Sequence, residues 1–372
     1  MTLLREVQEE HDATFEERGG RTFVTEYGRP DRSHGAVRNV VGVTEMAYDV
    51  LAITGEDRIE YVDNAVSNNV PTVDGRGAYA LLLTPQGRIR TDMYIYNGGE
   101  RLLLFVPAGE GQPIAADWSE KTFIQDVEIT VATDEFGVFG VHGAESTEKV
   151  ASVFTEQTPD EQLTFRRGSM GDAGVTVVRT DAPTGEVGYE VVCEASVAED
   201  VWDTLENRGL NAAAFGLQTW NSLTLEAGTP LFETELDDGV PNNLGLHNAV
   251  DFEKGCFVGQ EVVSRVENRG EPTKRLVGLV IDGDGEDGPL PDAGATVFDG
   301  DESLGEVTRA VHSPTREEPI ALALLDRDVV DLLGEEHALA VRIDGDEHSA
   351  TAVELPFVDG SERSARVPSY PE

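Results

Sequence analysis

The chain has 372 residues, too many for one ordinary core and enough for two or three domains. Its 71 Asp and Glu outweigh 28 Lys and Arg, giving a formal charge of −43. That charge excludes a general nucleic-acid binder or a protein adsorbed to an anionic membrane, both of which need a basic face. No apolar run in the sequence approaches the roughly 18 residues of a membrane span, and 39% hydrophobic residues exclude a disordered acidic tail. The opening Met1-Thr2-Leu3-Leu4-Arg5-Glu6 lacks the basic-then-apolar layout of a signal peptide, so a cytoplasmic protein is expected. Two cysteines, Cys193 and Cys256, cannot make a disulfide framework.

Residues 1–17 read as helix-prone, broken by Gly19-Gly20, with irregular chain to about residue 36. A short helix is predicted over 57–65 and a strand over 79–83, followed by the turn Pro85-Gln86-Gly87. Residues 90–96 alternate polar and apolar, and Asn97-Gly98-Gly99 turns the chain into a third strand at 101–106, completing an antiparallel meander. Strands follow at 124–133 and 136–141, then a helix at 146–153 with Ser146 as its expected cap. A strand pair at 175–180 and 188–193 is separated by 181–187, and helices are predicted at 197–207 and 217–226. Residues 254–259 lead into a helix from 260 to 266, and a boundary falls near 268–272. Beyond it, strands at 276–281, 296–298, 304–310 and 340–343 suggest a small all-β module, with the turn-rich 282–291 as a hairpin loop inside it. Strands and helices mix without a strict βαβ rhythm, so the class is α+β.

The basic residues comprise 24 Arg and only 4 Lys. Acids spread along a Lys-poor chain point to salt-loving archaea, where a Debye length near ~3 Å at molar salt makes surface self-repulsion tolerable, rather than to an acidic face for a basic partner, which would gather the acids in blocks. Against that background, Lys254, Arg265, Arg269, Lys274 and Arg275 fall within 22 residues, and an anionic ligand is one reason for such a cluster. Internal pairing with the abundant acids is the other. Cys256 lies in the same stretch, beside a cation and ahead of a helix, a setting that stabilises a thiolate. It suits a small apolar turn residue equally. Cys193 closes a strand and is expected to be inert. No histidine or cysteine spacing suggests a metal site, and Gly283-Asp-Gly-Glu-Asp-Gly288 is an acidic run that would repel phosphate.

Lys254-Gly-Cys-Phe-Val-Gly-Gln-Glu261 resembles the K-G-C-[FY]-x-G-Q-E signature of the YgfZ-type folate-binding proteins, relatives of the glycine-cleavage T-protein (aminomethyltransferase). Four further segments resemble T-protein motifs in the expected order, between about residues 36 and 328. They are Gly87-Arg-Ile-Arg-Thr-Asp92, Thr184-Gly-Glu-Val-Gly-Tyr-Glu190, Leu225-Glu-Ala-Gly228, and Ser313-Pro-Thr315 with Ile320-Ala-Leu-Ala323. The chain departs from the T-protein pattern at Thr91, Pro183 and Thr224, where an acid, a tyrosine and an arginine are expected.

The resemblance implies a three-lobed T-protein-like α+β fold. Residues 1–35 would form an N-terminal extension, 36–270 the folate-binding lobes and 271–372 a C-terminal β-barrel domain. It implies tetrahydrofolate, or a one-carbon-substituted folate, as cofactor, with Glu190 and Tyr189 on the pterin; the cation cluster, with Lys254, Arg265 and Arg269, would suit the folate's glutamate tail. Asp92 and Cys256 are the candidate catalytic residues. The first functional expectation is a YgfZ-type protein supporting iron–sulfur cluster assembly or repair. The alternatives are a tetrahydrofolate-dependent aminomethyl or one-carbon transferase and a non-catalytic partner-binding scaffold. Expected partners are folate, iron–sulfur proteins or a lipoyl carrier protein, with no nucleic acid and no membrane.

Overall fold

The computed structural model describes residues 4–269, 271–283, 288–330 and 338–370. The α+β expectation holds: helices and strands intermix around a five-stranded antiparallel sheet, a six-stranded sheet with one parallel pair, and a closed barrel. The acidic run at 283–288 lies largely outside the described residues.

The N-terminus differs from its sequence reading. A short helix, Arg5–Glu10, precedes a hairpin of Thr14–Arg18 and Arg21–Glu26, and helix Pro30–Asn39 replaces the expected irregular chain. Gly19 and Gly20 both adopt positive φ, 53° and 76°, and so form the hairpin's two-residue turn. A Cβ on Gly19 would sit 2.0 Å from the Ala108 carbonyl oxygen, so the hairpin tip lies directly on that backbone. Pro30 stands in the first turn of its helix, where its missing N–H costs nothing.

The predicted meander is present as Arg76–Leu83, Ile89–Asn97 and Leu102–Val106, joined in a five-stranded sheet by Asp49–Thr54 and Glu128–Val131. The expected strand at 124–133 is reduced to Glu128–Val131, and Phe123 and Ile124 are exposed instead. A six-stranded sheet runs in the order Phe165–Met170, Ala173–Arg179, Gly188–Glu194, Phe136–His142, Gly42–Glu45, Ala213–Ala214. Ser146 begins its helix but does not cap it; its Oγ donates to the Val187 carbonyl at 2.8 Å.

The C-terminal module is a closed six-stranded barrel, which leaves no open edge. Its strands run from Lys274–Ile281 to Asp346–Val353. After the barrel the chain doubles back over the first two sheets. The Phe357 amide donates to the Glu226 carbonyl at 2.9 Å and the Ala365 amide to the Asp181 carbonyl at 3.0 Å. This strap carries Arg366 into the centre of the molecule. A single apolar cluster, including Tyr94, Phe105, Val192, Leu225, Phe257 and Leu322, joins both sheets to the barrel.

Candidate functional site

The central cavity is open to solvent, with about 1120 Å³ of empty space reaching to its mouth and beyond. Strand Ile89–Asn97 supplies Asp92 and Tyr94, two residues apart and therefore on one face. Tyr79 pairs directly across from Tyr94, so its hydroxyl reaches Asp92 Oδ2 at 2.8 Å. The N-terminal hairpin contributes Arg18 and Phe23 to the wall, and the 231–233 segment contributes Phe232 and Glu233. Arg18 and Glu233 face each other at 3.9 Å.

Arg366 organises the floor. Its Nη2 donates to Tyr94 Oη at 2.8 Å, its Nε lies 3.0 Å from Asp181 Oδ2, and its Nη1 lies 3.8 Å from Asp92 Oδ2. The guanidinium also sits over the Tyr79 ring, 4.8 Å from its centroid. Tyr94 Oη donates to Asp181 Oδ1 at 2.7 Å. Behind the cavity wall, Tyr48 Oη donates to Glu190 Oε1 at 2.8 Å. Two buried carboxyl groups, Asp92 and Asp181, thus share one buried guanidinium, with the buried Glu190 carboxyl behind them on Tyr48. Burial raises the Asp92 pKa against the opposing effects of Arg366 and Tyr79. Burial likewise pushes Glu190 up to about 7, with the Tyr48 bond acting in the opposite direction. Asp92 Oδ1 and Glu190 Oε2 are buried without a hydrogen-bond partner. Buried acceptors are costly to leave unpaired, so the site suits a ligand that brings donors or positive charge.

Asp92 and Glu190 belong to this centre; Tyr189, Lys254, Arg265 and Cys256 lie elsewhere. Tyr189 points to the opposite face of its strand, where its hydroxyl meets Thr147 Oγ1 at 3.0 Å and Arg179 Nη1 at 3.3 Å. Lys254 caps helix Arg58–Ala65. Its Nζ donates to the carbonyls of Asp63 at 2.7 Å, Val66 at 3.1 Å and Asn68 at 2.7 Å. Arg265 pairs with Glu261 on the exposed face of helix Gln260–Arg269. Arg269 ends that helix, and its side chain lies outside the described residues. Lys254 and Arg265 therefore do not converge on the cavity.

Cys256 is exposed and is not on the cavity wall. Its motif is held against the 84–87 turn by Gly259, which has φ +82° and whose Cβ would sit 2.6 Å from the Thr84 carbonyl oxygen. Burial pushes the Cys193 thiol up to about 12. Among the described residues, no cluster of three or more His, Cys, Asp or Glu could hold a metal ion, and no helix is long and apolar enough to cross a membrane.

The sequence reading missed Tyr48, Tyr79, Tyr94, Asp181 and Arg366. Alternation along 90–96 places Tyr94 on the same face as Asp92, so that residue was recoverable. Asp181 looked like part of a separator, and nothing local marks Arg366.

Residues 4–254 match the GCVT N-terminal domain, and residues 274–359 match the glycine cleavage T-protein C-terminal barrel domain. An aminomethyltransferase of Cutibacterium acnes is 31% identical over 96% of this chain and 97% of its own length. One from Streptomyces coelicolor is 32% identical over 84% of this chain and 86% of its own. The crystal structure of glycine cleavage system aminomethyltransferase T from Bartonella henselae shares the fold, with a TM-score of 0.84 at 21% identity, covering 97% of this chain and 99% of that one. With both domain matches in sequence order and near-full-length relatives, the chain belongs to the glycine cleavage T-protein family.

Proposed function

We propose that this protein is a tetrahydrofolate-dependent aminomethyl or one-carbon transferase of the T-protein class. The observation that carries the reading is the pair of partnerless buried acceptors, Asp92 Oδ1 on the wall of the central cavity and Glu190 Oε2 behind it, next to the lining residue Tyr48. The family membership supports this transferase alternative over the iron–sulfur role expected first. The YgfZ-like cysteine motif instead packs as an outer turn, with its lysine serving as a helix cap.

The residues fit a reduced folate. Glu190 has one free oxygen and one held by Tyr48, and a carboxylate can accept two parallel hydrogen bonds from an aminopyrimidine edge. Oε1 has a second lone pair, so it can accept from the ligand while Tyr48 stays bound. Tetrahydrofolate supplies the nitrogen that receives the one-carbon unit. Asp92 holds positive charge near that centre and moves a proton, while Tyr79 and Arg366 fix its orientation. The lipoyl carrier remains the proposed donor partner, on family grounds alone.

Calorimetric titration with tetrahydrofolate tests the reading. Glu190→Gln is expected to weaken binding by about 2 kcal/mol, near thirtyfold, as a hydrogen bond to a charged group is lost. A pH dependence should accompany it. The free Glu190 carboxyl has its pKa raised to about 7, whereas the ligand's donors favour the carboxylate. Binding therefore releases a proton below pH 7, and affinity should rise with pH up to about 7 and then level off. Equal affinity for variant and wild type, with no pH trend in either, would remove Glu190 from the pterin site.

We also propose that the acid-rich surface is an adaptation to concentrated salt. Two of the four lysines have structural work inside the protein. Lys254 caps one helix, and Lys149 donates to the Arg208 carbonyl at 2.5 Å beyond helix Ala198–Asn207. A compact ammonium suits such caps, which leaves the surface almost without lysine. The melting temperature is expected to rise by several degrees between dilute buffer and molar potassium chloride. A flat response would exclude the adaptation.

A further inference from the structure

We propose that Arg309, on barrel strand Glu302–Ser313, is a positioning residue that sets the wall of the central cavity formed by Leu231, Phe232 and Glu233. Arg309 does not line the cavity. Its Nη2 donates to the Thr229 carbonyl at 2.7 Å, at the start of the wall segment. Its Nε lies 3.3 Å from Glu235 Oε1, at the segment's other end. Glu235 in turn accepts from the Leu231 amide at 3.0 Å through Oε2 and from Thr308 Oγ1 at 3.0 Å through Oε1. Both ends of the turn are thereby tied to one guanidinium. The residue between them, Glu233, is held at φ +66°, a conformation that an L-residue adopts only when its surroundings impose it.

The pair is buried, with Arg309 5% and Glu235 4% exposed, so solvent does not compete for these bonds. The remaining Nη1 donates to Asn221 Oδ1 and Thr224 Oγ1, each at 3.0 Å. Thr224 is the position where the T-protein-like motif carries arginine. Here a guanidinium reaches that helix position from the barrel instead. The barrel consequently shapes the ligand-facing wall of a cavity whose floor is built by Arg366 from the strap.

The ligand part of the inference rests on the proposed folate function; the positioning part does not. Amide hydrogen exchange on the ligand-free protein tests positioning directly. In Arg309→Lys, exchange of the Leu231 amide should quicken about tenfold or more while the barrel amides of Leu322 and Ala323 stay at wild-type rates. Uniform quickening everywhere would show a general stability role and overturn the proposal, as would unchanged exchange at Leu231.

Tetrahydrofolate titration supplies the second readout. Arg309→Lys should raise Kd and KM about tenfold with kcat altered less than twofold, because Arg309 does not touch the reacting centre. If Arg309→Lys fails to fold, Arg309→Met with Glu235→Leu removes both buried charges and is expected to keep the fold. Wild-type Kd in that pair would overturn the proposal. If wild type itself binds no tetrahydrofolate, the folate function fails and the exchange pattern alone decides on Arg309.

Discussion

Asp92→Asn is expected to slow one-carbon transfer to tetrahydrofolate by about 10²–10⁴-fold, the usual range for loss of a positioned acid–base group. Tetrahydrofolate affinity should change only a few-fold, because the pterin contact is assigned to Glu190. Asparagine preserves the shape of the side chain and can still accept from Tyr79 Oη, so the packing around Arg366 is conserved. It cannot take up a proton or neutralise a developing cation. The low-dielectric surroundings magnify that loss: the Asp92 carboxyl is buried, has one oxygen free, and lies 3.8 Å from Arg366 Nη1. Single-turnover measurements with an aminomethyl-loaded lipoyl carrier separate the chemical step from binding, and calorimetry gives the affinity. A variant with wild-type single-turnover rate would take Asp92 out of the reaction. A variant that loses affinity and rate equally would make it a binding residue.

The fold was more legible than the site, for a physical reason. Alternation and turn residues report local geometry, and they located the meander and the 217–226 helix closely. They fail at the N-terminus, where Gly19-Gly20 has the local pattern of a break but forms a hairpin turn in contact with Ala108. The centre depends on contacts between residues far apart in sequence. Asp92, Asp181 and Arg366 meet only because the strap after the barrel returns to the first two sheets. No window of local pattern contains that information. The basic cluster at 254–275 misled in the converse way. Its residues are near in sequence, but Lys254 turns into a helix terminus and Arg265 turns to solvent.

Glu226→Ala should cost about 3–5 kcal/mol of folding stability, the range for breaking a buried ion pair by removing one partner. Three of the motif segments meet at this carboxylate. Arg38 donates to Glu226 Oε2 through Nη2 at 2.8 Å and Nε at 3.1 Å, and His34 Nε2 lies 2.9 Å from the same oxygen. Ser313 Oγ donates to Oε1 at 2.5 Å and Thr315 Oγ1 to Oε2 at 3.0 Å, which ties the barrel to the helix. Arg38 also donates to Glu186 Oε1 at 2.8 Å, joining the Thr184–Glu190 segment to the same network. Alanine would leave the Arg38 side chain, 9% exposed, without this partner, against a total domain stability of about 5–15 kcal/mol. The pH response supplies a second test. Burial alone would raise the Glu226 pKa, but His34, Arg38 and Ser313 hold it down to about 2. Its folded pKa is depressed, so its contribution is full above the unfolded value of 4.5 and is lost as pH falls toward 2. Over that window wild type should lose about 3 kcal/mol that Glu226→Gln, with nothing to protonate there, does not. Denaturant titrations of both proteins at several pH values between 5 and 2 give the difference. Parallel loss of stability in the two would mean that the Glu226 network does not hold the three segments together.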